Sequence, residues 1–166
     1  MATHSLSDLI SVLGEKVGTL ESLVDILKEE QRFIVEARTE QLNENTRLAL
    51  ASISTMNILN GRFRELLVKT GSEFGLSETG SLTDLFPGVD PESCLALKRL
   101  QKRCFTAVDT INRLLAMNEG LIRNSLNIID RSISLFGRLL GGCETYGSAG
   151  RMRKGRAQAG MFCREI

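Results

Sequence analysis

The sequence predicts an all-α protein, an elongated three-helix antiparallel bundle or coiled coil with a very long third helix and a flexible basic C-terminal tail. The long helix carries most of that prediction. From Pro91 to Leu140 one helical pattern runs for about fifty residues with no further proline, and it stops at Gly141-Gly142. Two adjacent rows within it repeat every seven residues: Ala107, Leu114, Leu121, Ile128 and Leu135, then Val108, Leu115, Ile122, Ile129 and Phe136. Such spacing keeps side chains on nearly one helix face, drifting only ~20° per repeat, so the rows form a broad apolar stripe. Composition points the same way. With no Trp, two Pro and 5% aromatic residues, the chain is poorly suited to a β-sandwich.

The elements follow in order. Leu6, Leu9, Ile10, Leu13, Val17, Leu20, Val24, Leu27 and Ile34 step by three and four, which predicts a first helix over about 6–38. Ser5 is its expected N-cap, with Asp8 adding negative charge at the positive end of the helix. Thr39 is the expected cap of a second helix over about 40–70, with Leu42, Leu48, Ile53, Met56, Leu59, Phe63, Leu66 and Leu67 as its core face and Gly71 as its end. Residues 71–90 hold four glycines and Pro87 and read as a connection, with a short helical turn around Leu82–Phe86. Asp90-Pro91-Glu92 then opens the third helix, over about 91–140. Residues 1–142 are thus read as one helical domain and residues 143–166 as the tail.

At ~1.5 Å per residue the third helix spans roughly 75 Å and each of the others roughly 45–50 Å. Run antiparallel to helix two, its last turns overshoot the hairpin. That stretch presents Leu121, Ile122, Ile128, Ile129, Leu135, Phe136 and Leu139 as a candidate partner-binding surface, since extended exposed apolar area on a soluble chain marks an interaction site. Beside the stripe lies a row of Ile111, Asn118, Ser125, Ser132 and Leu139, whose small polar members either restrict partner choice or simply edge the stripe and face water.

Charge is divided along the chain. Residues 1–90 carry 8 Lys/Arg against 14 Asp/Glu, and residues 91–166 carry 13 against 6. An acidic hairpin packed beside a basic helix accounts for this without nucleic acid. The tail run Arg151, Arg153, Lys154, Arg156 has no groove-reading motif before it, so nucleic-acid binding is not expected.

Cys94, Cys104, Cys143 and Cys163 fit no zinc spacing and read as reduced thiols. The only histidine is His4, near the start of the chain, and no phosphate-binding loop joins a strand to a helix. No catalytic residue, metal site or cofactor is therefore expected. Neither a membrane span nor a signal peptide is legible, which places the protein in the cytoplasm.

After the long helix comes Thr145-Tyr146-Gly147-Ser148-Ala149-Gly150. A three-helix chain of this size, with a long third helix ending in Thr-Tyr-Gly-x-x-Gly and a tail, resembles the FlgN-type flagellar export chaperones. The resemblance implies a cytosolic, non-enzymatic chaperone. Its clients would be the amphipathic C-terminal segments of hook-associated (hook–filament junction) proteins, which it would deliver to the type III export gate. It further implies that Tyr146, the one residue matching the family's docking tyrosine, contacts the cytoplasmic domain of that gate. The alternative is a structural coiled-coil protein that self-associates, as a homodimer, through the same stripe and has no client.

Overall fold

The computed structural model describes residues 2–76 and 81–140. Four helical elements appear among them and no strand: α1 (Ala2–Val35), α2 (Thr39–Glu73), a 3₁₀ helix η1 (Leu82–Gly88) and α3 (Pro91–Leu140). The chain divides into two compact units, Met1–Ile122 and Arg123–Ile166.

In the first unit, α1 and α2 form an antiparallel hairpin. Its ends and middle are marked by Ser5 Oγ donating to Glu73 Oε1 at 2.7 Å, Arg62 facing Glu15 at 3.7 Å, and Asn45 Nδ2 donating to the Ile26 carbonyl at 2.9 Å. Ser5 is therefore a buried tie between the two helices, because α1 already starts at Ala2, and it is not an N-cap. The α2 face that approaches α1 follows Asn45, Ala49, Ser52, Met56, Leu59 and Phe63, each buried or half-buried. Leu48 and Ile53, expected in that face, are about half exposed. Small side chains at positions 49 and 52 fill the mid-hairpin seam instead.

The turn between the helices supplies by geometry what its sequence lacks in glycine. Arg38 N–H donates to the Phe33 carbonyl at 2.9 Å and Ala37 N–H to that of Ile34 at 3.2 Å, the reciprocal pair of a Schellman motif. The residue at its left-handed position is Ala37, with φ of 54°. Thr39 follows as the first residue of α2, the N-cap being Arg38 with no side-chain cap. At the other end of α2 the motif recurs with a better residue. Leu76 N–H reaches the Gly71 carbonyl at 3.0 Å, Gly75 N–H reaches that of Ser72 at 3.1 Å, and Gly75 takes φ of 73°. Gly71 accordingly lies buried in the last turn, and Gly75 stops the helix.

η1 opens on a capping box, with Ser81 N–H donating to Asp84 Oδ2 at 2.8 Å and Ser81 Oγ accepting from Thr83 N–H at 3.3 Å. It delivers Leu82 and Leu85 to a core shared with Leu6, Leu9 and Leu13 of α1, Leu67 of α2 and Leu97 of α3. Asp90 caps α3 as expected: its Oδ1 accepts from Glu92 and Ser93 N–H at 3.1 and 2.9 Å, and these bonds hold its carboxyl below the usual range.

A second cluster joins Val24 and Leu27 of α1 to Ala107, Ile111 and Leu114 of α3. Between the clusters Arg103 grips Glu21 with both ends of its guanidinium, Nε to Oε1 at 3.0 Å and Nη2 to Oε2 at 2.8 Å. This is one point where the acidic first half of the chain meets the basic second half. The pairings rise together along both helices, so α3 runs parallel to α1 here.

Candidate partner-binding face

The two heptad rows of α3 part company in the structure. Residues Leu97, Leu100, Cys104, Ala107, Ile111, Leu114, Asn118 and Leu121, in steps of three and four, are buried or half-buried. The neighbouring row is exposed along its whole length, from Val108 at 38% and Leu115 at 49% through Ile122 to Ile129 at 52% and Phe136 at 59%. Consecutive residues on a helix are about 100° apart, which is enough for one row to face α1 while the next faces water.

Asn118 closes the buried seam. Its Nδ2 donates to the Leu27 carbonyl at 3.0 Å and to Glu30 Oε2 at 2.8 Å, and only 3% of the residue is exposed. Of the polar row, then, Asn118 lies in the core rather than on a wet edge. Ser132 is exposed, and its hydroxyl returns to the Ile128 carbonyl at 2.9 Å.

Among the residues expected to bind a partner, Leu121 is half-buried and Ile122 exposed, both in the first unit. In the second unit Ile128, Ile129, Leu135 and Phe136 are all more than half exposed. The side chain of Leu139 and the whole of Tyr146 lie outside the described residues.

The structure adds two residues to this face, Leu126 at 56% and Ile133 at 64% exposed. With Ile129 and Phe136 they complete the progression 126, 129, 133, 136, the alternating three-and-four step of a coiled-coil seam. Their row reads Asn112, Glu119, Leu126, Ile133 and begins polar, so a search for rows apolar throughout passes over it.

Other surface features offer less. A shallow groove of about 440 Å³ lies over Val24 and Ala107, but its rim includes the Glu21–Arg103 pair, already spent on each other. No group of His, Cys, Asp or Glu among the described residues could hold a metal ion. No helix among them is long and apolar enough to cross a membrane.

An all-helical chain whose third helix leaves an apolar seam uncovered is thus the class defined by fold and surface together. Residues 1–154 match the family model described as FlgN protein, and the chain belongs to that family, one of chaperones of flagellar biogenesis. No curated protein and no solved structure matches it.

Proposed function

We propose that this protein is a cytoplasmic flagellar export chaperone, built on a three-helix bundle, that holds the amphipathic C-terminal segments of hook-associated proteins and delivers them to the export gate. The observation that carries this is the uncovered seam of Leu126, Ile129, Ile133 and Phe136, flanked by Ile128 and Leu135. An amphipathic helix laid along that seam supplies the opposing apolar face, reading as anchors at three- and four-residue steps. Ordering a disordered client costs part of the interaction energy, which keeps affinity moderate and release possible. Tyr146 is assigned to docking on the cytoplasmic domain of the gate, as the family resemblance implies.

The test is calorimetric titration of the chain with C-terminal segments of hook–filament junction proteins, with light scattering on the same samples. Saturable one-to-one binding with a negative heat-capacity change supports the chaperone reading. A folded homodimer that takes up no segment gives the face to self-association and rejects the reading. For Tyr146, the Tyr146→Ala variant keeps client affinity and weakens gate docking. Equal loss of both removes the docking role.

A further inference from the structure

Leu97 and Leu115 stand eighteen residues apart on α3, about five full turns, and so point the same way. Leu97 is fully buried and Leu115 is half exposed. The difference is η1, whose Leu82 and Leu85 close over Leu97 together with Leu6, Leu9 and Leu67. Beyond the reach of η1 the same side of α3 continues as Val108, Leu115 and Ile122, all exposed. That side is turned toward α2. Val108 lies about 40° around α3 from Cys104, which is within electrostatic reach of Lys16 on α1. The Lys16 ammonium in turn sits 4.2 Å from the ring centre of Phe63 on α2, so the three helices converge at Lys16. On α2, Arg62 pairs with Glu15 on the far flank of the hairpin. Ile53, nine residues earlier, points about 180° away from Arg62, into the space facing α3, and is exposed. The result is an apolar cleft with Ile53 on one wall and Val108 and Leu115 on the other. Its floor is Leu20, Leu23 and Leu27 of α1, of which the first two are only half-buried. All of these residues belong to the first unit, so the cleft is separate from the seam of the second.

We propose that the open half of this cleft seats an amphipathic helix of the client, which covers Leu115 as η1 covers Leu97, an inference that rests on the proposed function. The cleft is continuous with a core the chain already builds, and η1 shows what it accepts: a helical segment bringing leucines at a three-residue step. The connection from α2 to α3 is used by η1 in the closed half, and no other described element covers Leu115. From Lys16 to Leu27 the floor is roughly 17 Å long, room for about three helical turns. A client helix with Leu or Ile at three- and four-residue steps fills that length and completes a four-helix bundle there. Apolar burial carries the contact, so salt changes its affinity little.

The experiment titrates the full chain with C-terminal segments of hook–filament junction proteins and compares two matched pairs of variants. Leu115→Asp is set against Met117→Asp, since Leu115 and Met117 are both 49% exposed but point about 160° apart on α3. Ile53→Asp is set against Ile58→Asp, which lies on the Arg62 side of α2 and is also exposed. Leu115→Asp and Ile53→Asp each weaken client binding at least about five-fold, because the client must desolvate the new carboxylate. Met117→Asp and Ile58→Asp stay within about two-fold of the wild type, as changes outside a binding site do. Leu115→Ser and Ile53→Ser repeat the comparison if aspartate lowers helicity. Equal effects within each pair, while the wild-type chain binds and Ile133→Asp weakens it, overturn the cleft and leave the chaperone reading standing. Failure of the wild-type chain to bind any segment overturns both, and a dimer that Leu115→Asp splits then gives the cleft to a second copy.

Discussion

Asn118 on α3 and Glu30 on α1 are joined by a 2.8 Å hydrogen bond at the end of the seam between these helices, where Asn118 also donates to the Leu27 carbonyl. The arrangement spends both amide hydrogens and leaves Asn118 Oδ1 buried with no partner. An orphaned acceptor costs about 1–3 kcal/mol. The Leu27 carbonyl keeps its own helix bond, and Glu30 is only half-buried, so neither depends on Asn118.

Asn118→Leu should therefore stabilise the first unit by about 1 kcal/mol, because a half-satisfied amide gives way to a side chain matching Leu114 one turn before it. Asn118→Ala, which leaves a cavity, should destabilise by a similar amount. Urea unfolding followed by circular dichroism decides it. A raised midpoint at unchanged m-value is expected for the leucine variant, and a lowered one would show that the amide bonds outweigh the orphaned oxygen.

Much of this protein was legible because its dominant signals are periodic. The α3 start at Asp90-Pro91 and the two heptad rows need only local chemistry and helix geometry. What could not be read was which row would be covered, since both are equally apolar and only the position of α1 separates them. The polar row misled for the same reason: Asn118 looks like Ser132 in sequence, yet one is core and the other surface. Ser5 was read as a cap because its partner, Glu73, lies 68 residues away. Leu126 and Ile133 escaped because the seam becomes apolar only past Glu119.

The turn after α1 gives a prediction about backbone rather than packing. Ala37 at φ of 54° carries the strain of a left-handed Cβ, which glycine does not. Ala37→Gly should raise stability by up to about 1 kcal/mol after allowing for the extra entropy glycine brings to the unfolded chain. A thermal melt at fixed concentration checks it. An unchanged or lower melting temperature would mean that the motif is relaxed or that unfolded-state entropy dominates.

The Glu21–Arg103 pair sets an acid limit. The guanidinium bonds lower the Glu21 pKa, so its contribution to stability is complete above the ordinary carboxylate range and is lost as pH falls through the depressed folded value. Asp90, held low by its cap bonds, has the same sign. Denaturant midpoints should fall on acidification below about pH 4.5. Glu21→Gln should start lower at neutral pH and fall less steeply. Parallel curves for the two proteins would show that this exposed pair adds nothing.

Stability and binding should separate cleanly along α3. Leu97 is fully buried in the first core, so Leu97→Ala should cost about 2–5 kcal/mol. Ile133 is 64% exposed, so Ile133→Asp should shift stability by no more than about 0.5 kcal/mol, aspartate and isoleucine being similar in helix propensity. Yet a carboxylate at that point lies in the middle of the seam formed by Leu126, Ile129 and Phe136, where a client helix would have to desolvate it. At least a ten-fold loss of client affinity should follow, with helicity and melting temperature unchanged. Calorimetry with hook-associated segments on the Ile133→Asp and wild-type chains gives the comparison. Full affinity in the variant would move the client site off this face, and a large drop in melting temperature would show that the seam is already buried in the free protein by another copy of the chain.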